Sequence, residues 1–254
     1  MNLKNVTKSL RGLLATASMA SSAADSVQMD VAPYLWATSM HGQVQVGPER
    51  VSVSQSFADL MKHFQGGGML FVNIHKNKWG LFGNALYSVL KDNNTLHTIP
   101  VGARNNFGIF SGGLSYALIN KPVFDAQSPA LTLELFAGAR FTLNDTKISL
   151  GPFTFKDNQS WTDPIAGARL TIPLKPRLHF IISGDAGGAN SHYSYDAQTY
   201  FGYQTIKPVL FNNMTLYLGY RFLHQRFASG SGLRYYLWDM DISGPVLGFK
   251  TVFE

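Results

Sequence analysis

Residues 131–144 read Leu-Thr-Leu-Glu-Leu-Phe-Ala-Gly-Ala-Arg-Phe-Thr-Leu-Asn. Every odd position from Leu131 to Leu143 is apolar. The even positions hold Thr132, Glu134, Gly138, Arg140, Thr142 and Asn144, with Phe136 as the large apolar exception. Side chains alternate across a strand, so the segment presents one greasy and one charged face over 14 residues. A soluble sheet usually needs only about 5 or 6 residues per strand. A tilted strand crossing a bilayer takes about 9 to 11, with its apolar face toward lipid. The stretch therefore predicts a membrane strand.

Nine further segments have strand character: 29–38, 68–76, 79–90, 106–119, 160–172, 178–187, 193–206, 214–227 and 236–253. Four of them repeat the dyad rule. Asp163 and Arg169 share one face of 160–172; His179, Ser183 and Asp185 share one face of 178–187. Ser194, Asp196 and Gln198 do so in 193–206, and Gly219, Arg221 and Gln225 in 214–227, each set opposed by apolar or aromatic residues. Turns at 76–78, 120–129, 173–177 and 207–213 alternate with connections at 39–67, 91–105, 145–159, 188–192 and 228–235. The first set, rich in Pro, Asn and Lys, is expected on the periplasmic side and the second outside. These features predict an all-β chain: a closed, antiparallel, up-and-down transmembrane β-barrel of about ten strands, with eight or twelve as alternatives.

Composition agrees with that reading. Charged residues make up 14% of the 254, aromatics 13%, and there are 24 glycines and no cysteine, which removes disulfides and thiolate metal sites. No apolar run approaches the roughly 18 residues of a helical membrane span. Lys4, Lys8 and Arg11, the weakly apolar stretch 13–20 and Ser22-Ala23-Ala24 read as an export signal over residues 1–24, leaving 25–254 as a single barrel domain. Removing that leader takes three cations and no anion from a formal charge of +6. The remaining cations are scattered singly, so a nucleic-acid partner is not expected.

Two local features ask for special treatment. In the first long connection, 43–46 and 51–55 alternate around Gly47-Pro48-Glu49-Arg50 as a short hairpin. Phe57, Leu60, Met61 and Phe64 then follow at helical spacing, with Ser56 as cap and Asp59 at the third helical position. That helix is either a plug over the lumen or a piece of rim packing. In the last strand, Asp239 and Asp241 alternate with Trp238, Met240 and Ile242, but beyond Gly244-Pro245 the odd residues Leu247, Phe249 and Phe253 become the apolar ones. An extra residue in a strand flips its facing, so a bulge is expected at Gly244 and Pro245, with Asp239 and Asp241 in the lumen.

That terminal strand resembles the C-terminal signal of Gram-negative outer-membrane barrels, although Glu254 follows the last aromatic, Phe253. Further pieces resemble a widespread family of Gram-negative outer-membrane β-barrel proteins of unknown function. They are Pro33-Tyr34-Leu35-Trp36-Ala37, Ser56-Phe57-Ala58-Asp59-Leu60, Trp79-Gly80-Leu81, Trp161-Thr162-Asp163-Pro164 with Gly167-Ala168-Arg169, Gly184-Asp185-Ala186-Gly187-Gly188, Gly219-Tyr220-Arg221 and Gly244-Pro245-Val246-Leu247-Gly248. The resemblance implies a fold, a bacterial outer-membrane address, outer-membrane lipid as surroundings and the barrel assembly machinery as a partner of the C-terminal strand. It implies no activity.

The polar faces place Glu134, Arg140, Asp163, Arg169, Asp185, Arg221, Asp239 and Asp241 inside the barrel. Ionised groups there must be paired or wet, because unpaired burial costs several kcal/mol. A mutually neutralising network that fills the interior is the expected use, and a charge-lined narrow channel for small polar solutes is the rival. A second rival is a hydrolase at the outer rim, where His192 lies near Ser191, Ser194, Asp185 and Asp196 in sequence. His41, His63, His75, His97, His179 and His224 show no metal-ligand spacing, so no metal or cofactor is expected. The leading expectation is a non-enzymatic barrel that stabilises the envelope or presents loops, with monomer as the expected state.

Overall fold

A strand in lipid has no water to satisfy its backbone, so every N–H and C=O must find a neighbouring strand and the sheet must close. The computed structural model, which describes residues 27–96, 99–125, 128–150, 153–205 and 214–253, does close. Its strands are β1 Gln28–Trp36, β2 Ser39–Val46, β3 Glu49–Gln55, β4 Phe64–Lys76, β5 Trp79–Leu96, β6 Ile99–Lys121, β7 Leu131–Leu150, β8 Phe153–Lys175, β9 Leu178–Ala189, β10 His192–Gln204, β11 Thr215–Ser229 and β12 Tyr236–Phe253, with helix α1 at Phe57–His63. Successive strands β4 to β12 pair antiparallel, β1 pairs with β4, and β1 returns to β12 to complete a ten-stranded barrel. Asn77 and Asn190, at φ +57° and +56°, supply the left-handed conformation that tight hairpin turns require. The expected export signal lies outside the described residues.

β2 and β3 form the hairpin expected in the first connection and stand outside the ten-strand count. β1 and β2 hold one register against β12, from Met29↔Phe253 to Trp36↔Val246 and on from Ser39↔Ser243 to Val46↔Tyr236. The β1–β4 ladder instead stops at Pro33↔Leu70. Beyond it the Trp36 amide donates to the Met69 thioether at 3.1 Å in place of a ladder bond.

The expected bulge at Gly244-Pro245 is absent. β12 keeps one register against β11 through Phe222↔Ser243, Arg221↔Gly244, Tyr220↔Pro245 and Gly219↔Val246. Register shifts occur instead at Phe64/Gly66, Ala117/Ile119 and Pro173/Lys175. Pro245 is tolerated because its missing donor faces the break between β1 and β2, where the Ala37 amide still donates to the Pro245 carbonyl at 2.9 Å. Gly244 is needed at the same spot, since a Cβ there would land on the Ala37 carbonyl oxygen.

Facing is therefore constant along β12: Trp238, Met240, Ile242 and Val246 are buried inside, and Pro245 and Leu247 are exposed outside. The polarity swap that suggested a bulge marks the level at which the strand leaves lipid. Below it the wall is apolar outside and polar inside. Above it the order inverts on this strand, as in a soluble barrel, whereas β7 keeps Thr142 and Asn144 inside. β11 repeats the inversion: Leu218 and Tyr220 are exposed outside and Arg221 is buried inside, whereas higher up Leu223 is buried inside and His224 and Arg226 point outward. Strands also run past the expected limits of 90, 106, 144 and 160, because above the membrane a backbone ladder continues without apolar alternation to reveal it.

α1 is not a lumen plug. None of its residues is buried, and it rests on β2 and β5 at the rim. Phe57 and Leu60 are half-buried, whereas Met61 and Phe64 stay exposed. The expected capping box is present: the Ser56 hydroxyl accepts from the Asp59 amide at 3.2 Å and the Asp59 carboxylate accepts from the Ser56 amide at 3.3 Å. Lys62, with help from Ser56, holds the Asp59 carboxyl at about 2, below its usual 3.8.

Constant facing sets a mutational asymmetry. Met240→Ala removes an inward core side chain and is expected to cost about 2–5 kcal/mol. Asp241→Ala removes one end of an outward surface pair and is expected to cost about 0–1 kcal/mol. Urea unfolding of the barrel in detergent measures both, and the reverse ranking would restore the bulge. For α1, the depressed pKa means the Asp59 contribution is complete above its unfolded value of 3.8 and is lost as pH falls through about 2. An NMR titration of the Asp59 carboxyl is expected to show that midpoint, moving back toward 3.8 in Lys62→Ala.

Candidate functional site

The inward side chains of β1 and β4–β12 form three levels. At the end bearing the chain termini, Lys250 pairs with Asp30 at 3.0 Å, His75 with Gln28 at 3.1 Å and His179 with the Tyr217 hydroxyl at 3.2 Å. Higher up, Arg169 reaches Glu134 at 3.2 Å while Ser115 donates to the same carboxylate at 2.8 Å. The Arg169 guanidinium also lies over the rings of Phe71 and Phe136, 5.1 and 5.7 Å from their centroids. Apart from Ser115 and Phe136, these groups line a cavity of about 790 Å³ that extends down to Asn77, Lys78 and Ser128 at the turn end.

The second level is a buried belt. Arg140 and Arg221 are only 1% and 3% exposed. Arg140 donates to both Asp185 oxygens at 2.7 and 2.9 Å and to the Ser194 hydroxyl at 2.9 Å, with Asp196 at 3.6 Å. Arg221 donates twice to Asp196, at 2.6 and 2.9 Å, and once to the Tyr34 hydroxyl at 3.2 Å. The Tyr34 hydroxyl donates to the Asn84 side-chain oxygen at 2.9 Å, and the Arg221 guanidinium stacks 4.6 Å from the centre of Trp36. Strands β1, β5, β7, β9, β10 and β11 are thus cross-tied through the lumen. Nearby, His192 Nδ1 bonds the fully buried Asp163.

The third level is apolar. Phe107, Trp161, Leu223, Trp238, Met240 and Ile242 belong to one buried cluster above the belt. Trp161 stacks on Phe227 at 4.6 Å and Phe107 on Trp238 at 5.7 Å between ring centres. Gln225 threads the cluster, donating to Thr142 at 2.7 Å.

Six of the eight charged residues assigned to the lumen from the sequence do face it: Glu134, Arg140, Asp163, Arg169, Asp185 and Arg221. They do not form one network. Arg169 pairs with Glu134 apart from the belt, and Asp163 meets His192, not an arginine. Asp239 and Asp241 are corrected to the outer surface, where Asp239 lies 3.5 Å from Arg226 and Asp241 binds His224 at 2.7 Å. They face water because β12 is above the lipid there. Asp196 was missed as the hub of the belt, although its parity with Ser194 and Gln198 already placed it on the polar face of β10. Asp30 and Tyr34 were missed because β1 mixes polar and apolar residues on its inner face. The hydroxyls near His192 are engaged elsewhere: Ser191 donates to the Ala228 carbonyl at 2.9 Å and Ser194 receives Arg140.

Removing one member of a buried ion pair strands its partner, at a cost of about 3–5 kcal/mol. Asp196→Ala leaves Arg221 unpaired and is expected to destabilise by that amount. Arg169→Ala, beside the cavity, is expected to cost much less. Urea midpoints compare them, and equal small losses would show that the belt is wet.

No family model and no curated protein matches the chain. Solved structures of similar shape include Ail, the attachment invasion locus protein of Yersinia pestis, at 10% identity and TM-score 0.40, covering 89% of this chain and 98% of that one. The translocator domain of the autotransporter NalP from Neisseria meningitidis follows at 11% identity and TM-score 0.36, covering 97% and 95%. The outer membrane protein opdK from Pseudomonas aeruginosa matches at 8% identity and TM-score 0.26, covering 90% and 99%. These likenesses extend to the general architecture alone. The wall itself says where the protein lives. Leu81, Leu114, Leu135, Ile182, Leu218 and Leu247 are exposed on its outside. The exposed Trp79 and Phe253 flank that band at one end, and Tyr193 and Tyr195 at the other. A closed, up-and-down β-barrel with an apolar exterior band and ion-paired interior is an integral protein of the bacterial outer membrane.

Proposed function

We propose that this barrel is a non-conducting, non-enzymatic scaffold of the outer membrane, which anchors the hairpin β2–β3, helix α1 and the tall strands β5–β8 outside the bilayer. One observation carries the reading: the Arg140–Asp185 and Arg221–Asp196 pairs are buried directly beneath an apolar cluster. An ion following the axis would have to break buried pairs and then cross a buried, largely apolar cluster. Both steps cost several kcal/mol. A narrow solute channel is disfavoured on the same ground. A rim hydrolase is disfavoured because the hydroxyls near His192 serve other partners, Ser191 the Ala228 carbonyl and Ser194 the Arg140 guanidinium. The outward Leu247, Phe249 and Phe253 of β12 support its use as the recognition strand for barrel assembly.

In planar bilayers the wild-type protein is expected to show unit conductance at the noise floor, unchanged in Arg169→Ala. Steady ohmic steps from the wild type would refute the sealed interior. Hydrolysis of lipid A or peptide by the purified protein, abolished in His192→Ala, would refute the non-enzymatic assignment.

A further inference from the structure

The cavity beneath the belt is a built site. Its volume of about 790 Å³ falls within the roughly 300–1,000 Å³ common for small-molecule pockets. Three of its lining side chains are more than nine-tenths buried and carry a polar atom without a protein partner. They are Asp30 (7% exposed, Oδ1), Asn73 (8%, Oδ1) and His179 (4%, Nδ1). His75 Nδ1 is a fourth such atom on the same wall. Asp30 and Asn73 are direct cross-strand partners on β1 and β4, and Gln28↔His75 is the next inward rung. Buried polar atoms in native proteins are bonded to protein, water or ligand, so four orphans around one cavity mark a place for a polar guest.

The orphans also specify its chemistry. His75 Nε2 faces the Gln28 carbonyl oxygen and must donate to it, which leaves Nδ1 of the neutral ring an acceptor. The β1–β4 wall therefore offers three acceptors in need of donors. The charges set within the cavity are paired, Lys250 with Asp30 and Arg169 with Glu134, and the remaining charged lining residue, Lys78, is exposed at its turn end. Tyr200 and Tyr217 contribute aromatic surface to the lining. Hydroxyl groups supply donors without charge, and the C–H faces of a sugar ring match aromatic surface. We infer that the periplasmic half of the lumen is a blind binding site for a neutral polyhydroxylated solute, of the size of a mono- or disaccharide. This goes beyond the scaffold reading and requires only that the belt closes the cavity from above.

The test is saturation-transfer NMR and calorimetry with maltose as probe, on the full chain folded in a detergent without a sugar headgroup. Glucose 6-phosphate and putrescine serve as charged comparisons. Maltose is expected to bind in preference to both. Binding is expected to be about tenfold weaker in Asn73→Leu, absent in Thr132→Trp, which fills the cavity, and unchanged in Asp241→Ala on the outer surface. Absence of maltose binding at tens of millimolar, undiminished binding in the folded Thr132→Trp barrel, or preference for either charged probe would overturn the inference. Conductance is a separate readout: ohmic steps would refute the sealed scaffold and with it the blind end of the site, whereas a positive maltose result without ohmic steps supports both.

Discussion

Closure of the β1–β12 ladder is the constraint on which everything else in this barrel depends. Lipid satisfies no backbone group, so a ten-stranded sheet in the membrane is stable only when its first and last strands meet. Here the closing seam tolerates few side chains and lacks one backbone donor. Pro245 cannot donate, Gly244 must lack a Cβ, and β1 gives way to β2 at the same level. The register runs through unbroken because the missing donor faces a gap in the partner strand. A bulge at this point would have turned the seam's inward residues outward.

With closure fixed, the environment outside the wall dictates which residues go where. In lipid the outside must be apolar and the inside collects the polar groups. Above the lipid the outside is wet, and the same barrel buries an aromatic core like that of a soluble protein. One strand such as β11 therefore carries Tyr220 out and Arg221 in at one level, and His224 out and Leu223 in at the next. The inversion needs no change in backbone geometry. It also explains why charges that look alike in sequence separate: Arg221 is part of the interior, and Asp241 is part of the surface.

The belt formed by Arg140, Arg221, Asp185 and Asp196 sits at that inversion and divides the lumen. Below it the cavity is polar; above it the interior is largely apolar. Charges buried at such a boundary gain from multiple charge-assisted hydrogen bonds across strands. Asp196 takes two bonds from Arg221 and lies near Arg140, so two cations share a small set of carboxylates. The result is a barrel braced across its diameter as well as around its circumference.

Alternation alone determined most of the architecture. The dyad in 131–144 and its repeats in four other strands located the wall, and the Ser56–Asp59 pair located α1, because facing and capping are local properties of the chain. The inward direction of Glu134, Arg140, Asp163, Arg169, Asp185 and Arg221 followed from the same parity. Partnership did not. Which carboxylate each arginine meets depends on strand tilt and stagger across the lumen, so Asp196 became the hub and Asp163 went to His192. Nor could polarity distinguish a flipped strand from a strand that has left the membrane, since both reverse the pattern at Gly244-Pro245. Only the ladder in three dimensions separates the two, because hydrogen-bond register records the count of residues and hydropathy records the solvent.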